Sequence, residues 1–201
     1  FVGLYGSLVF IDQWIDSNKI GKGDGWHSYT LSLRLRNWIW ILKTFTEIKN
    51  DKIIDSIWKQ LCWLINHLED ANGGNHFLEN LCALIIVSLQ YESKRSKDIY
   101  SFAMINLKKE LRLQILSDGG HQERTASYHI LILDRLVEVG LVLENSKNNV
   151  PDWLLKSIVS MLDWLKLTIK KASENKNVFW LLKPHPMEKW YGGIKLADIL
   201  E

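Results

Sequence analysis

Residues 72–89 read NGGNHFLENLCALIIVSL: a Gly-rich turn, an Asn-His pair where a helix starts, then apolar residues at three- and four-residue steps from Phe77 to Leu89. The same spacing recurs from Leu31 to Phe45, Ile53 to Leu68, Ile99 to Leu116, Tyr128 to Leu143 and Trp153 to Ile169, so each of these stretches predicts an amphipathic helix. Between them lie Asn18–Gly25, Asp70–Gly74, Ser117–Gly120 and Asn145–Pro151, which supply the Gly, Asn, Asp and Pro at which helices stop. Short links make consecutive helices antiparallel neighbours. The first 166 or so residues therefore read as all-α, in a bundle, an α-solenoid or an α/α toroid, and periodicity alone does not choose among these.

With 201 residues and 47% hydrophobic content, the chain can bury one sizeable core. A net charge of +2, with no long run of Lys or Arg, argues against nucleic acid as a partner. The longest apolar stretches, Phe1–Ile11 and Leu81–Leu89, fall short of the about 20 residues that cross a bilayer, so no membrane span is expected. Cys62 and Cys82 sit inside helical patterns and read as buried small hydrophobes rather than a disulfide or metal pair. No metal or other cofactor is implied. The chain opens on Phe without a basic segment, so an export signal, if encoded, is expected upstream. The ten Trp are either large core fillers or platforms that stack on sugar faces.

After Lys171 the texture changes. Val178–Leu182 is a short β-type run, broken by Lys183-Pro184-His185-Pro186, and the expectation is a short α/β-like tail over 173–201 that packs poorly on a helical body spanning 1–172.

Three segments carry chemistry. In the first, Asn75 and His76 open a helix and Glu79 follows one turn later, where it can orient the imidazole; the structural alternative is an Asn N-cap and a surface His. In the second, Asp118-Gly119-Gly120-His121-Gln122-Glu123-Arg124-Thr125-Ala126-Ser127-Tyr128-His129, Arg124 and Tyr128 are four apart, which on a helix puts a fixed cation near the phenol and favours its ionisation. The alternative is a Glu123–Arg124 capping device with Tyr128 in the core. In the third, Trp26, His27, Arg34, Arg36, Asn37 and Trp38 suit an acidic sugar, Arg forking onto a carboxylate while indole covers the ring. Arg34 and Arg36 point to different helix faces, so at most one lines a cleft.

These segments, WHSYTLSLRLRNWIW (26–40), NHFLEN (75–80) and DGGHQERTASYH (118–129), together resemble the heparinase II/III superfamily of polysaccharide lyases over about residues 1–165. The resemblance implies an all-α fold, an incomplete α/α toroid of antiparallel helical hairpins, acting on an acidic polysaccharide without a cofactor. It implies that Asn75 and His76 neutralise the uronate carboxylate, that His76 serves as base for some substrates, that Glu79 and Arg124 support the site, and that Tyr128 is the catalytic tyrosine. Trp26, His27, Arg34, Asn37 and Trp38 become candidate substrate contacts, and a periplasmic or secreted location is implied.

The family also carries a C-terminal β-sandwich that closes over the cleft and adds a histidine. No such multi-strand pattern follows residue 165, so weak elimination by this chain alone is expected. Instead NVFWLLKPHPMEKWYGG (177–193) resembles a segment of capsular-polysaccharide glycosyltransferases. Two other functions stay open: a non-catalytic toroid that binds acidic polysaccharide, and a glycosyltransferase piece using Lys183 and His185.

Overall fold

The computed structural model describes residues 2–44, 50–70 and 74–174. The tail from Val178 to Leu182, with Lys183 and His185, lies outside the described residues. Among the described residues seven α-helices follow one another: α1 (Val2–Ser17), α2 (Ser28–Thr44), α3 (Asp51–Leu64), α4 (Gly74–Ser88), α5 (Lys94–Gln114), α6 (Ala126–Asn145) and α7 (Asp152–Glu174), with a 3-10 turn at Asp24–Trp26. The only extended pairing among the described residues is an isolated antiparallel bridge between Ile115 and His121. No described helix is long and apolar enough to cross a membrane.

Six of the helices were anticipated and α1 was not, because Gly3, Gly6 and Ser7 interrupt its apolar run. Its neighbours supply what local propensity lacks: Ile11 is buried and α1 packs on α3. Side chains that satisfy free N–H groups set several helix starts. Asn50 accepts from the Ile53 amide at 3.2 Å, Ser93 and Ser96 form a reciprocal capping box, and Thr125 accepts from the Tyr128 amide at 3.3 Å.

α4 is the axis of the molecule, surrounded by α2, α3, α5 and α6. Every residue from Phe77 to Ser88 is buried. A helix apolar on all sides is stable only when enclosed, and this segment has just three polar residues. Each is paired: Ser88 with the Ile85 carbonyl, Asn80 with Ser32, and Glu79 with two guanidiniums. Cys62 and Cys82 are both free thiols, and burial pushes the Cys82 thiol up.

Around Glu79 the core holds a charged cluster. Arg36 of α2 bridges Glu79 and Glu138, and Arg135 of α6 donates to Glu79 at 2.7 Å and to Asp134 at 2.5 Å. Burial opposes the Arg135 charge, but Glu79 and Asp134 outweigh it and hold Arg135 above its ordinary pKa. Burial also raises Glu138, against the pull of Arg36 and Arg135. Removing Glu79, Arg36 or Arg135 would leave an uncompensated charge in a dry interior, which makes the cluster a tether among α2, α4 and α6.

Candidate active site

The start of α4 and the loop before α6 meet through one side chain. Gln114, buried at the end of α5, donates to the Gly74 carbonyl at 3.1 Å, while its Oε1 lies 3.2 Å from His121 Nε2. The Gln114 carbonyl also takes the Gln122 amide at 2.8 Å. One residue thus pins the start of α4, which carries Asn75 and His76, to the loop that leads into Tyr128.

His76 is exposed and Asn75 half-buried. His76 Nδ1 lies 3.0 Å from Glu69 Oε1, and His27 Nε2 stands 3.7 Å from the same oxygen. Glu69 itself is held from behind, its amide donating to Asn80 Oδ1 at 3.0 Å, Asn80 to Ser32 Oγ at 3.0 Å, and Ser32 to the Ser28 carbonyl at 2.8 Å. Tyr29 stacks on the His76 ring with centroids 4.3 Å apart and planes 27° from parallel. Burial raises the Tyr29 phenol, Glu79 adds to this, Arg135 and Arg36 oppose it, and Tyr128 raises it further, so the hydroxyl lies within electrostatic reach of all four. Tyr128 sits in the first turn of α6 and is 42% exposed, open to a ligand rather than buried in the core. The Asn75 Oδ1 atom is buried without a protein partner, as is Glu69 Oε2, and such groups invite a polar ligand.

Several sequence expectations need correction. Glu79 does not orient His76. It lies one turn deeper in the enclosed helix, where a carboxylate must be paired, and Arg36 and Arg135 take both its oxygens. The carboxylate on His76 is Glu69, which reaches it across the turn. Arg124 does not share a helical face with Tyr128, because α6 starts at Ala126 and Arg124 has a left-handed backbone, φ 53°, ahead of the Thr125 cap. Asn75 lies within the first turn of α4 rather than ahead of it.

Trp26, Trp38 and Arg34 are inside the wall, not on it. Trp26 and Trp38 are both 6% exposed and pack with Trp14, at centroid distances of 6.0 and 5.5 Å. The Arg34 guanidinium lies 3.8 Å from the Trp14 ring centre, bonds the Gln60 side chain at 2.8 Å and the Gly25 carbonyl at 2.5 Å, and is lowered by burial to about 10. Indole faces rather than a carboxylate offset its charge. Arg36 is likewise buried. Of the candidate contacts in the third segment, His27 and Asn37 are exposed, and His27 of the two approaches Glu69. An open groove between Ser117–Asp118 and α7 contains none of these residues. No group of three or more metal-ligating side chains occurs among the described residues.

Sequence reading missed Tyr29, Glu69 and Gln114. Tyr29 and Gln114 act across helices and leave no local spacing signal, while Glu69 stands seven residues before His76 with an interrupting turn between them.

This arrangement of helical hairpins is shared with a solved protein, described as heparinase III in its crystal structure: TM-score 0.67 and 21% identity, over 78% of this chain and 26% of that one. At that identity the likeness establishes the fold, an all-α domain of the toroid type. The heparinase II/III N-terminus family matches residues 9–175, and the chain belongs to that family. No curated protein sequence matches it. The chain spans about a quarter of the length of heparinase III.

Proposed function

We propose that this chain is the helical part of a polysaccharide lyase that cleaves a uronic-acid-containing polysaccharide by β-elimination. The uronate carboxylate docks on the Asn75 amide, joined by the His76 ring for substrates on which Tyr128 is the base, which neutralises it and acidifies the proton on the adjacent ring carbon. A base removes that proton, the glycosidic C–O bond on the next carbon breaks, and an acid protonates the departing oxygen. No water is consumed. Tyr128 is the acid, and the base as well when the proton lies on its side of the ring; His76 is the base for the opposite epimer.

The observation that carries the reading is the convergence of the two turns. Gln114 ties the start of α4 to the loop before α6, and Tyr29 stacks on His76. A non-catalytic toroid that binds sugar through Trp26, Arg34 and Trp38 finds no support, since all three are used in internal packing.

The test follows absorbance of the unsaturated uronate on heparan sulfate, alginate and a glucuronate-rich exopolysaccharide, using this chain alone and joined to a β-sandwich domain. The expected result is weak turnover alone and stronger turnover when joined, with Tyr128→Phe lowering it by on the order of 100-fold or more. Full turnover in Tyr128→Phe would sink the assignment, and no product from any polyuronate in either form would sink the reaction class.

A further inference from the structure

We infer that Glu69 is the positioning residue for His76, fixing its proton on Nδ1 and presenting Nε2 to the ligand as the basic nitrogen. The inference rests on the lyase reading for its consequence, but its geometry stands alone.

A carboxylate can only accept, so the 3.0 Å contact between His76 Nδ1 and Glu69 Oε1 requires the proton to be on Nδ1. The lone pair is then on Nε2, the nitrogen a base must use. In a free imidazole the choice of tautomer is open, and the bond made by one nitrogen decides the role of the other. Three features hold the pair in that state. The Glu69 backbone is anchored through Asn80 to Ser32, both buried, so the carboxylate is delivered from a rigid support. The ring plane of His76 is set by its stack on Tyr29, which disfavours the rotation about Cβ–Cγ that would carry Nδ1 away from Glu69. His27 is the competing imidazole, but at 3.7 Å it is beyond hydrogen-bonding distance from the shared oxygen, while His76 is within it.

Glu69 therefore does for His76 what Glu79 cannot do from inside the core. Because the anchoring bond uses the Glu69 amide rather than its carboxylate, Glu69→Ala removes the orienting group and leaves the buried Asn80 and Ser32 bonds in place.

The experiment is ring-15N NMR of histidine-labelled protein above pH 8, with the His76 signals assigned by their loss in His76→Gln. Wild type is expected to show protonated Nδ1 and bare Nε2 at His76, Glu69→Ala to shift toward the opposite tautomer, and His27→Ala to leave the signature unchanged. On a substrate whose proton faces His76, Glu69→Ala should lower kcat by on the order of 100-fold with little change in KM, since orientation of the base is lost and not binding. A wild-type His76 protonated on Nε2, or a Glu69→Ala variant with unchanged tautomer or unchanged kcat, would overturn the inference. The tautomer readout needs no turnover. A protein with the expected signature that eliminates no polyuronate would uphold the positioning geometry while refuting the lyase reading, and active protein with the wrong tautomer would do the reverse.

Discussion

The two glycine turns look alike in sequence, Gly73-Gly74-Asn75-His76 and Gly119-Gly120-His121, yet the structure uses them in opposite ways. Gly74 has φ +78° and a Cβ placed there would meet nothing within 4 Å; it serves the turn's backbone shape and leaves His76 exposed. Gly119 has φ +86°, and a Cβ there would lie 2.2 Å from the Ser160 carbonyl oxygen, while one on Gly120 would lie 2.8 Å from Trp164 Nε1. That second turn is pressed onto α7, and its histidine is 1% exposed, bonded to Gln114. His129, just inside α6, is also fully buried, against Trp164 and the Met161 carbonyl. The first turn leaves its histidine exposed, and the second buries two histidines against neighbouring helices at the start of α6.

The sharpest way to break this contrast is to add one methyl group at each turn. Gly119→Ala suffers both the left-handed strain and the collision with Ser160, and should lower unfolding free energy by about 3 kcal/mol or more. The urea midpoint at unchanged m-value measures it. A loss under about 1 kcal/mol would mean that α7 yields easily and the turn is not clamped.

Acid should act next, and through the second turn. Burial lowers the pKa of His121, against Glu123, and burial is also the main cause lowering His129, against its bond to the Met161 carbonyl. The unfolded chain then binds protons where the folded chain does not. The stability these residues retain is fully present above about pH 6.5, the ordinary imidazole value, and is lost as pH falls from there toward the folded values. The expected drop in urea midpoint between pH 7.5 and 5.5 should shrink in the double variant His121→Gln/His129→Gln. An equal drop in both proteins would assign the acid sensitivity elsewhere.

The smallest effect belongs to the open turn. Gly74→Ala meets strain but no neighbour, so a loss of about 1 to 2 kcal/mol is expected, clearly below that of Gly119→Ala. Equal losses at the two positions would erase the distinction.

The helices were legible because each carries its own apolar period, and α4 most of all: a stretch with only Glu79, Asn80 and Ser88 as polar residues has to be enclosed. α1 escaped notice because its glycines and serine hide a helix that packing on α3 supports. The family was legible through three motifs. The roles of Trp26, Trp38 and Arg34 were misread for a physical reason. A tryptophan buries the same large surface whether it lies under a sugar or beside another tryptophan, and an arginine can be satisfied by indole faces as well as by a carboxylate.

By itself the sequence determined that six amphipathic helices form and which residue types stand at the two turns, because hydrophobic period and glycine placement are local properties of the chain. Only tertiary structure decided which carboxylate reaches His76, which histidine is exposed, and that Gln114 and Tyr29 join segments far apart in sequence. Those choices depend on the mutual placement of α2, α4, α5 and α6, and hence on distances that no spacing along a single helix encodes.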